Sequence, residues 1–436
     1  MRVDILVRSC LSIAVVIGTA GIAVAQSPQL TSPETVIQDV VGEAGGPLQP
    51  DAAITVGQSP EAGTRQTLIE DAAADRAKTL HPYVVTTAEK AIARIERRFT
   101  NQTIRWHTFL QNGYQGGGFA AGAGYMFHTS SYSTLDVRSS YSMRSYKLAE
   151  AEFTSPRLFD RRGELTVLGG WRDATQVAFY GFGMQNSSND RANYGFEQPY
   201  ASALLKFRPT RRLLMVRGGF EAARWNLKSG EGIDPSLDEI YTPAALPGLG
   251  TTTTYLHTQA TVGFDSRLSK DYARRGGFYG VTGHDYSDRD DALGFRLVEY
   301  EAIQHVPILR ESWVLSLHGL VKTTWDKGDQ ETPFYMMPSL GGGSNLRGFS
   351  SFRYADRNSL LLQGEWRIIA NRFFESAAFV DAGKVTNRTS DLDLRDLKTD
   401  YGFGVRFHAP LVTVLRVDVA RSNEGTRLVF AASPAF

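Results

Sequence analysis

The sequence has almost no cysteine. Its one copy, Cys10, falls in an N-terminal segment that reads as removable, so the mature chain would have no disulfide, no thiol nucleophile and no Cys-ligated metal. Charge of one sign is also missing. The 47 basic and 46 acidic residues leave a net +1, and Arg2 and Arg8 against Asp4 account for it; a chain this balanced lacks the basic footprint of a nucleic-acid binder. The eight His are scattered, with no H-x-x-x-H or H-E-x-x-H pair on a helix, and neither G-x-S-x-G nor G-K-[ST] behind a Gly-rich turn occurs. The expectation is no enzyme, no cofactor and no metal site. Beyond Gln26 no apolar run approaches the roughly 20 residues of a transmembrane helix. A mean hydropathy of −0.24 nevertheless permits membrane residence, because barrel strands alternate lipid-facing and lumen-facing residues and average out polar.

What is present begins with an export signal. Arg2 and Arg8 precede an apolar, small-residue run, Cys10–Val24, that ends in Ala23-Val24-Ala25. This has the form of a secretory signal peptide (1–25) cleaved after Ala25; an uncleaved anchor would need a longer run. Residues 26–100 read as a periplasmic linker followed by short amphipathic helices. Pro, Gly, Ser and Gln dominate 26–63, Thr64–Leu80 reads helical, and Thr86-x-x-Glu89 caps a second helix, Lys90–Phe99. That second helix would either contact the periplasm or plug a lumen, or pack on a barrel rim.

From about residue 101 the period changes from 3.6 to 2 and holds to the C-terminus. In Trp313–Trp325, one parity carries Trp313, Leu315, Leu317, Val321 and Trp325, the other Ser316, His318 and Lys322. Twelve steps span about 40 Å, or about 28 Å of height at a tilt near 45°, which sets the two Trp at the two membrane interfaces. Tyr401–Ala409 sends Tyr401, Phe403, Val405 and Phe407 outward and Arg406 and His408 inward; Leu360–Ile368 sends Trp366 outward and Gln363, Glu365 and Arg367 inward. Fifteen such segments lie between 117 and 433. A barrel cannot leave an edge in lipid and bacterial barrels are even-numbered, so a sixteenth strand is expected near 104–113. The fold class is therefore all-β, a transmembrane antiparallel barrel of about 16 strands over 101–436, in the cell outer membrane and surrounded by its lipids. The chain ends at Phe436, with Leu428 and Phe430 on one parity. Phe430 and Phe436 form a candidate C-terminal assembly signal, although Pro434 should stop pairing by about 433.

The longest connection, 326–358, contains Gly341-Gly342-Gly343-Ser344-Asn345-Leu346-Arg347-Gly348-Phe349, and five of the placed strands follow it. Phe379-Val380-Asp381-Ala382-Gly383, Phe179-Tyr180-Gly181-Phe182-Gly183, Asp265-Ser266-Arg267 with Arg275-Gly276-Gly277-Phe278-Tyr279, and Arg421–Arg427 stand around it in order. With these motifs the chain resembles the BamA/TamA superfamily of outer-membrane proteins (the bacterial surface antigen family), well over 180–436 and weakly over 101–180. The resemblance implies that Leu346-Arg347-Gly348-Phe349 is the family's [VLI]-R-G-[FY] loop tip. It also implies a non-enzymatic role in inserting or translocating a polypeptide, or lipid, with an unidentified polypeptide substrate or periplasmic partner. The Gly-rich Phe119–Tyr125 would be the first strand, loosely paired and beside the last at a lateral seam. One departure is that 26–100 offers only Ala53–Val56 as strand-like, so no POTRA module is expected there.

The loop chemistry is readable from the residues themselves. Arg347 presents five donors in a fixed fork, and Glu365 and Asp381 lie on lumen parity of adjacent strands. Arg347 would reach inward and pair with both; the alternative is an exposed Gly-rich loop with a solvated Arg. A wet lumen would hold the value of such a pairing to about 1–2 kcal/mol. A pore or structural barrel for small solutes is the competing function, since a polar lumen suits either.

Overall fold

The computed structural model describes residues 65–79 and 105–436, apart from 211, 212, 372, 410 and 411. The signal peptide, the linker and the second helix lie outside the described residues. The first unit contributes one helix, α1 (Arg65–Thr79), on the stretch whose sequence reads helical.

The second unit is a 16-stranded antiparallel β-barrel. Its first half consists of β1 (Trp106–Phe109), β2 (Ala120–His128), β3 (Thr134–Ser142), β4 (Lys147–Arg157), β5 (Gly163–Phe179), β6 (Ala192–Phe207), β7 (Leu214–Ser229) and β8 (Thr252–Asp265). β9 (Gly276–Asp288), β10 (Phe295–Leu309) and β11 (Trp313–Asp326) follow. The wall is completed by β14 (Asn358–Ile369), β15 (Phe374–Thr386), β16 (Lys398–Ala409), β17 (Val412–Ser422) and β18 (Gly425–Ala431). Between β11 and β14 the long loop forms its own two-residue hairpin, β12 (Ser339–Leu340) with β13 (Tyr354–Ala355). Every wall strand pairs with its sequence neighbour, so the chain meanders around the barrel without a crossover.

Side-chain parity explains why these segments form a barrel wall. Trp313, Trp325, Trp366, Tyr401, Phe403 and Phe407 are exposed on the outer face, whereas Ser316, His318, Glu365, Arg406 and His408 on the opposite parity are buried. A soluble sandwich would cover the first set; here it forms the outer surface, and the polar set faces inward. The short connections, such as 129–133, 158–162 and 310–312, lie at one end, and the long loops 230–251 and 327–357 at the other. An aromatic cluster of Phe196, Tyr194, Trp225 and Phe179 fills the lumen under the loop, whose Phe334 and Tyr335 are buried in it.

One expectation is met and one corrected: β1 is the sixteenth strand expected near 104–113, so the Gly-rich 120–128 segment is the second strand and not the first. It is paired along its whole length with β3, from Ala120↔Ser142 to His128↔Thr134. Glycine there serves packing rather than loose pairing: a Cβ on Gly122 would lie 2.0 Å from the Ser139 carbonyl oxygen. The last strand ends before Pro434, as expected. Pairing of β18 stops at Ala431, Pro434 cannot donate to a ladder, and the tail turns inside. There Phe436 packs against Met215, Phe278 and Ile303 and stacks on His318 (ring centroids 5.0 Å apart) and His305 (6.3 Å).

Val380 sits at the middle of β15 on the outer face, 56% exposed. Val380→Arg should destabilise the barrel by about 2–4 kcal/mol in lipid vesicles. Denaturant unfolding in vesicles checks this; a loss below about 0.5 kcal/mol would mean that this face does not meet hydrocarbon.

Candidate functional site at the loop tip

The loop reaches the wall because its tip has no bulk where it must turn. Gly341 has φ +112°, and a Cβ there would lie 2.1 Å from the Ser350 carbonyl oxygen. Gly348 faces a different constraint, since a Cβ would lie 2.6 Å from Cβ of Asp400 and 3.0 Å from Cβ of Ser422. Its carbonyl accepts a 2.8 Å hydrogen bond from Ser422 Oγ. Only glycine fits this approach of loop backbone to wall. On either side, Leu346 and Phe349 are fully buried with Leu340, Tyr354, Leu361 and Val385. The tip is thus a small apolar core with one guanidinium projecting from it.

Arg347 ends among carboxylates. Its Nε and Nη2 donate to Asp381 Oδ2 and Oδ1, both at 2.7 Å, a two-pronged pairing. Nη1 donates to Glu365 Oε1 at 2.6 Å and to Asp418 Oδ2 at 3.3 Å. The guanidinium carbon lies 3.4 Å from the ring centroid of Phe379, which adds a cation–π contact. Burial alone would lower the Arg347 pKa, but Glu365, Asp381 and Asp418 outweigh it and raise it. The loop is therefore held by a permanent charge.

Around this contact the lumen wall is a continuous polar network. Glu365 also accepts from Arg406 at 2.6 Å, and Arg406 reaches Glu375 at 3.3 Å. Glu375 takes both prongs of Arg367, at 2.7 and 2.8 Å. Gln363 donates to Asp381 at 3.1 Å and to the Asn345 carbonyl at 2.9 Å, while Arg416 donates to the Gly343 carbonyl at 2.5 Å. Other motifs bind the loop from the rim. Arg353 lies over Tyr180 (4.9 Å to the centroid) and pairs with Glu424 at 2.8 Å, and Gly183 N donates to the Ala355 carbonyl at 2.9 Å.

Leu346, Arg347, Gly348, Phe349, Glu365 and Asp381 are thus brought together in one place. Phe430 lies on the outer face of β18, 54% exposed, and Phe436 is in the lumen; neither belongs to this site. Sequence reasoning missed Asp418, although it stands on the same inward parity of 412–420 as Arg416. It also missed the Phe379 ring and Arg406 as members of the network. The structure moves the energetics as well. Arg347, Asp381 and Asp418 have no solvent exposure, so the discount for a wet lumen does not apply. Removing one partner of such a buried set costs on the order of 3–5 kcal/mol.

An Omp85 superfamily domain profile matches residues 106–431. The chain belongs to the Omp85 superfamily. No curated relative matches the sequence. Among solved structures, BamA from Haemophilus ducreyi lacking POTRA domains 1–3 aligns with a TM-score of 0.53 at 15% identity, covering 78% of this chain and 77% of that one. CdiB from Acinetobacter baumannii (TM-score 0.46, 12% identity) covers 74% of this chain. CdiB from Escherichia coli (0.49, 12%) covers 76%. The chain spans only 58% and 59% of those two CdiB proteins. At these identities the likeness is one of fold, an outer-membrane β-barrel of the Omp85 type.

In this Omp85 barrel, Arg347→Ala should free the loop, and Arg347→Lys should rescue little, because an ammonium cannot replace the two-pronged contact with Asp381. Limited proteolysis of the folded protein is the measurement. Faster cleavage within 326–358 in both variants is expected; cleavage at the wild-type rate in Arg347→Ala would exclude the buried pairing.

Proposed function

We propose that this protein inserts or translocates a polypeptide, or a lipid, at the outer membrane without catalysing a covalent reaction. The signal peptide would direct export and be cleaved after Ala25, with Phe430 and Phe436 serving as an assembly signal before folding is complete. In this reading residues 26–100 are a periplasmic segment and 101–436 the working barrel.

The observation that carries the reading is the fully buried Arg347 set, which ties one loop to β14, β15 and β17 at once. A transport pore needs a clear lumen, whereas this lumen is crossed by a packed loop and entered by the Phe436 tail. A device that holds the barrel in shape while its wall is worked on makes use of such a strut. The place to be worked on is the pair of strands that end the ladder, β1 and β18. These are the shortest strands of the wall, four and seven residues, and they stand at the two ends of the described ladder. A short strand has few hydrogen bonds to give up, and its released edge offers backbone donors and acceptors to an incoming strand.

The test is the outer-membrane proteome of a deletion strain against its parent. Loss of one or several barrel or surface proteins, restored by the wild-type gene and not by Arg347→Ala, is expected. An unchanged proteome, together with solute conductance by the purified barrel, would replace this reading with that of a pore.

A further inference from the structure

A cavity of about 390 Å³ opens beside β18, bounded by the β1–β2 connection (Asn112, Gln115, Gly116, Gly118 and Phe119), the loop tip and β18. Arg144, Arg191, Arg347 and Arg427 line it, and no Asp or Glu does. Arg347 is matched by its own three carboxylates; the other three arginines are largely unopposed. Arg144 is engaged through its backbone carbonyl, which accepts from Thr175 and Gln176, and its guanidinium has no carboxylate partner among the described residues. Arg191 reaches Asp234 at 3.0 Å through Nη1, while its Nε is buried without an acceptor. Arg427 donates to a neutral hydroxyl, Ser350 Oγ, at 3.0 Å. The nearby carboxylate of Glu424 is taken by Arg353 at 2.8 Å.

Three guanidiniums sharing one carboxylate repel one another in a partly enclosed space. An oxyanion relieves that repulsion, and a phosphate, with several acceptor oxygens, suits arginine forks best. The cavity's other boundary decides the source of the phosphate. Its lining includes Phe119, Leu428 and Phe430, which are 48%, 58% and 54% exposed, the last two on the outer face of β18. A cationic chamber that opens onto a lipid-facing apolar rim fits an amphiphile rather than a free ion. Arg144, in the β3–β4 turn, and Arg191, just before β6, also lie at the end of the long loops, which in outer-membrane barrels is the extracellular one.

We infer that this cavity binds the phosphorylated headgroup of a membrane lipid. Arg144, Arg191 and Arg427 hold the phosphate, and the acyl chains leave past Phe119, Leu428 and Phe430. This needs no polypeptide substrate and stands whether or not the insertion reading holds.

The test uses the full chain folded in non-ionic detergent and native mass spectrometry, with phosphatidic acid and diacylglycerol of identical acyl chains as probes. Wild type should retain one phosphatidic acid and at least about tenfold less diacylglycerol, with excess inorganic phosphate failing to compete. Arg144→Gln and Arg427→Gln should each weaken retention about tenfold. Folding of each variant is checked by heat-modifiable electrophoretic mobility. Equal retention of both lipids by wild type would overturn the inference without recourse to any variant. So would unchanged retention in the folded variants. Displacement of the lipid by inorganic phosphate would mark an ion site and overturn the lipid assignment.

Discussion

A guanidinium without solvent must be surrounded by negative charge, and that requirement organises this barrel. Arg347 is carried to the lumen wall by a loop whose tip is apolar, and it has no solvent exposure there. Three carboxylates from three strands converge on it, and one of them, Glu365, is shared with Arg406. From there charge compensation passes along the wall through Glu375 to Arg367. The loop and the wall are each incomplete alone: without the loop, Asp381 and Asp418 would be buried acids lacking their main partner. Such a set gives specificity of position, because a shift of one residue along any strand would turn its carboxylate to the lipid side.

The lumen is correspondingly crowded. On one side, Phe334 and Tyr335 of the loop complete an aromatic cluster with Phe196 and Trp225, and burial pushes the Tyr335 phenol up to about 12. On another, Phe436 occupies a position against Met215, Phe278 and Ile303. The last residue of the chain is therefore bound inside the barrel. If it also acts as an assembly signal, it does so before this docking.

The contrast between the two halves of the structure is mechanical. The wall from β5 to β11 is made of strands of 13 to 17 residues, whereas the ladder ends in β1 and β18 at four and seven. The loop tip bears on β14, β15 and β17, beside the short β18. Rigidity is thus placed next to the short β18, and the arginine-lined cavity lies between β18, the β1–β2 connection and the loop.

Much of this was legible in the residues. Alternation at period 2 identified the wall strands and their parity, because one face must meet hydrocarbon and the other must not. That rule gave the outward Trp313, Trp325 and Phe403 and the inward Glu365, Asp381 and Arg406. It also required a sixteenth strand near 104–113, although β1 is too short to show a period. Tertiary structure alone decided the rest. Asp418 joins Arg347 across 71 positions of sequence, a distance no local pattern encodes. The Gly-rich 120–128 segment proved to be a fully paired second strand, since glycine in sequence does not distinguish loose pairing from close packing. The tail's destination rests on a pocket built from β7, β9 and β10. The dryness of the Arg347 site, which decides whether its ion pairs are weak or strong, follows from how loop and wall exclude water together.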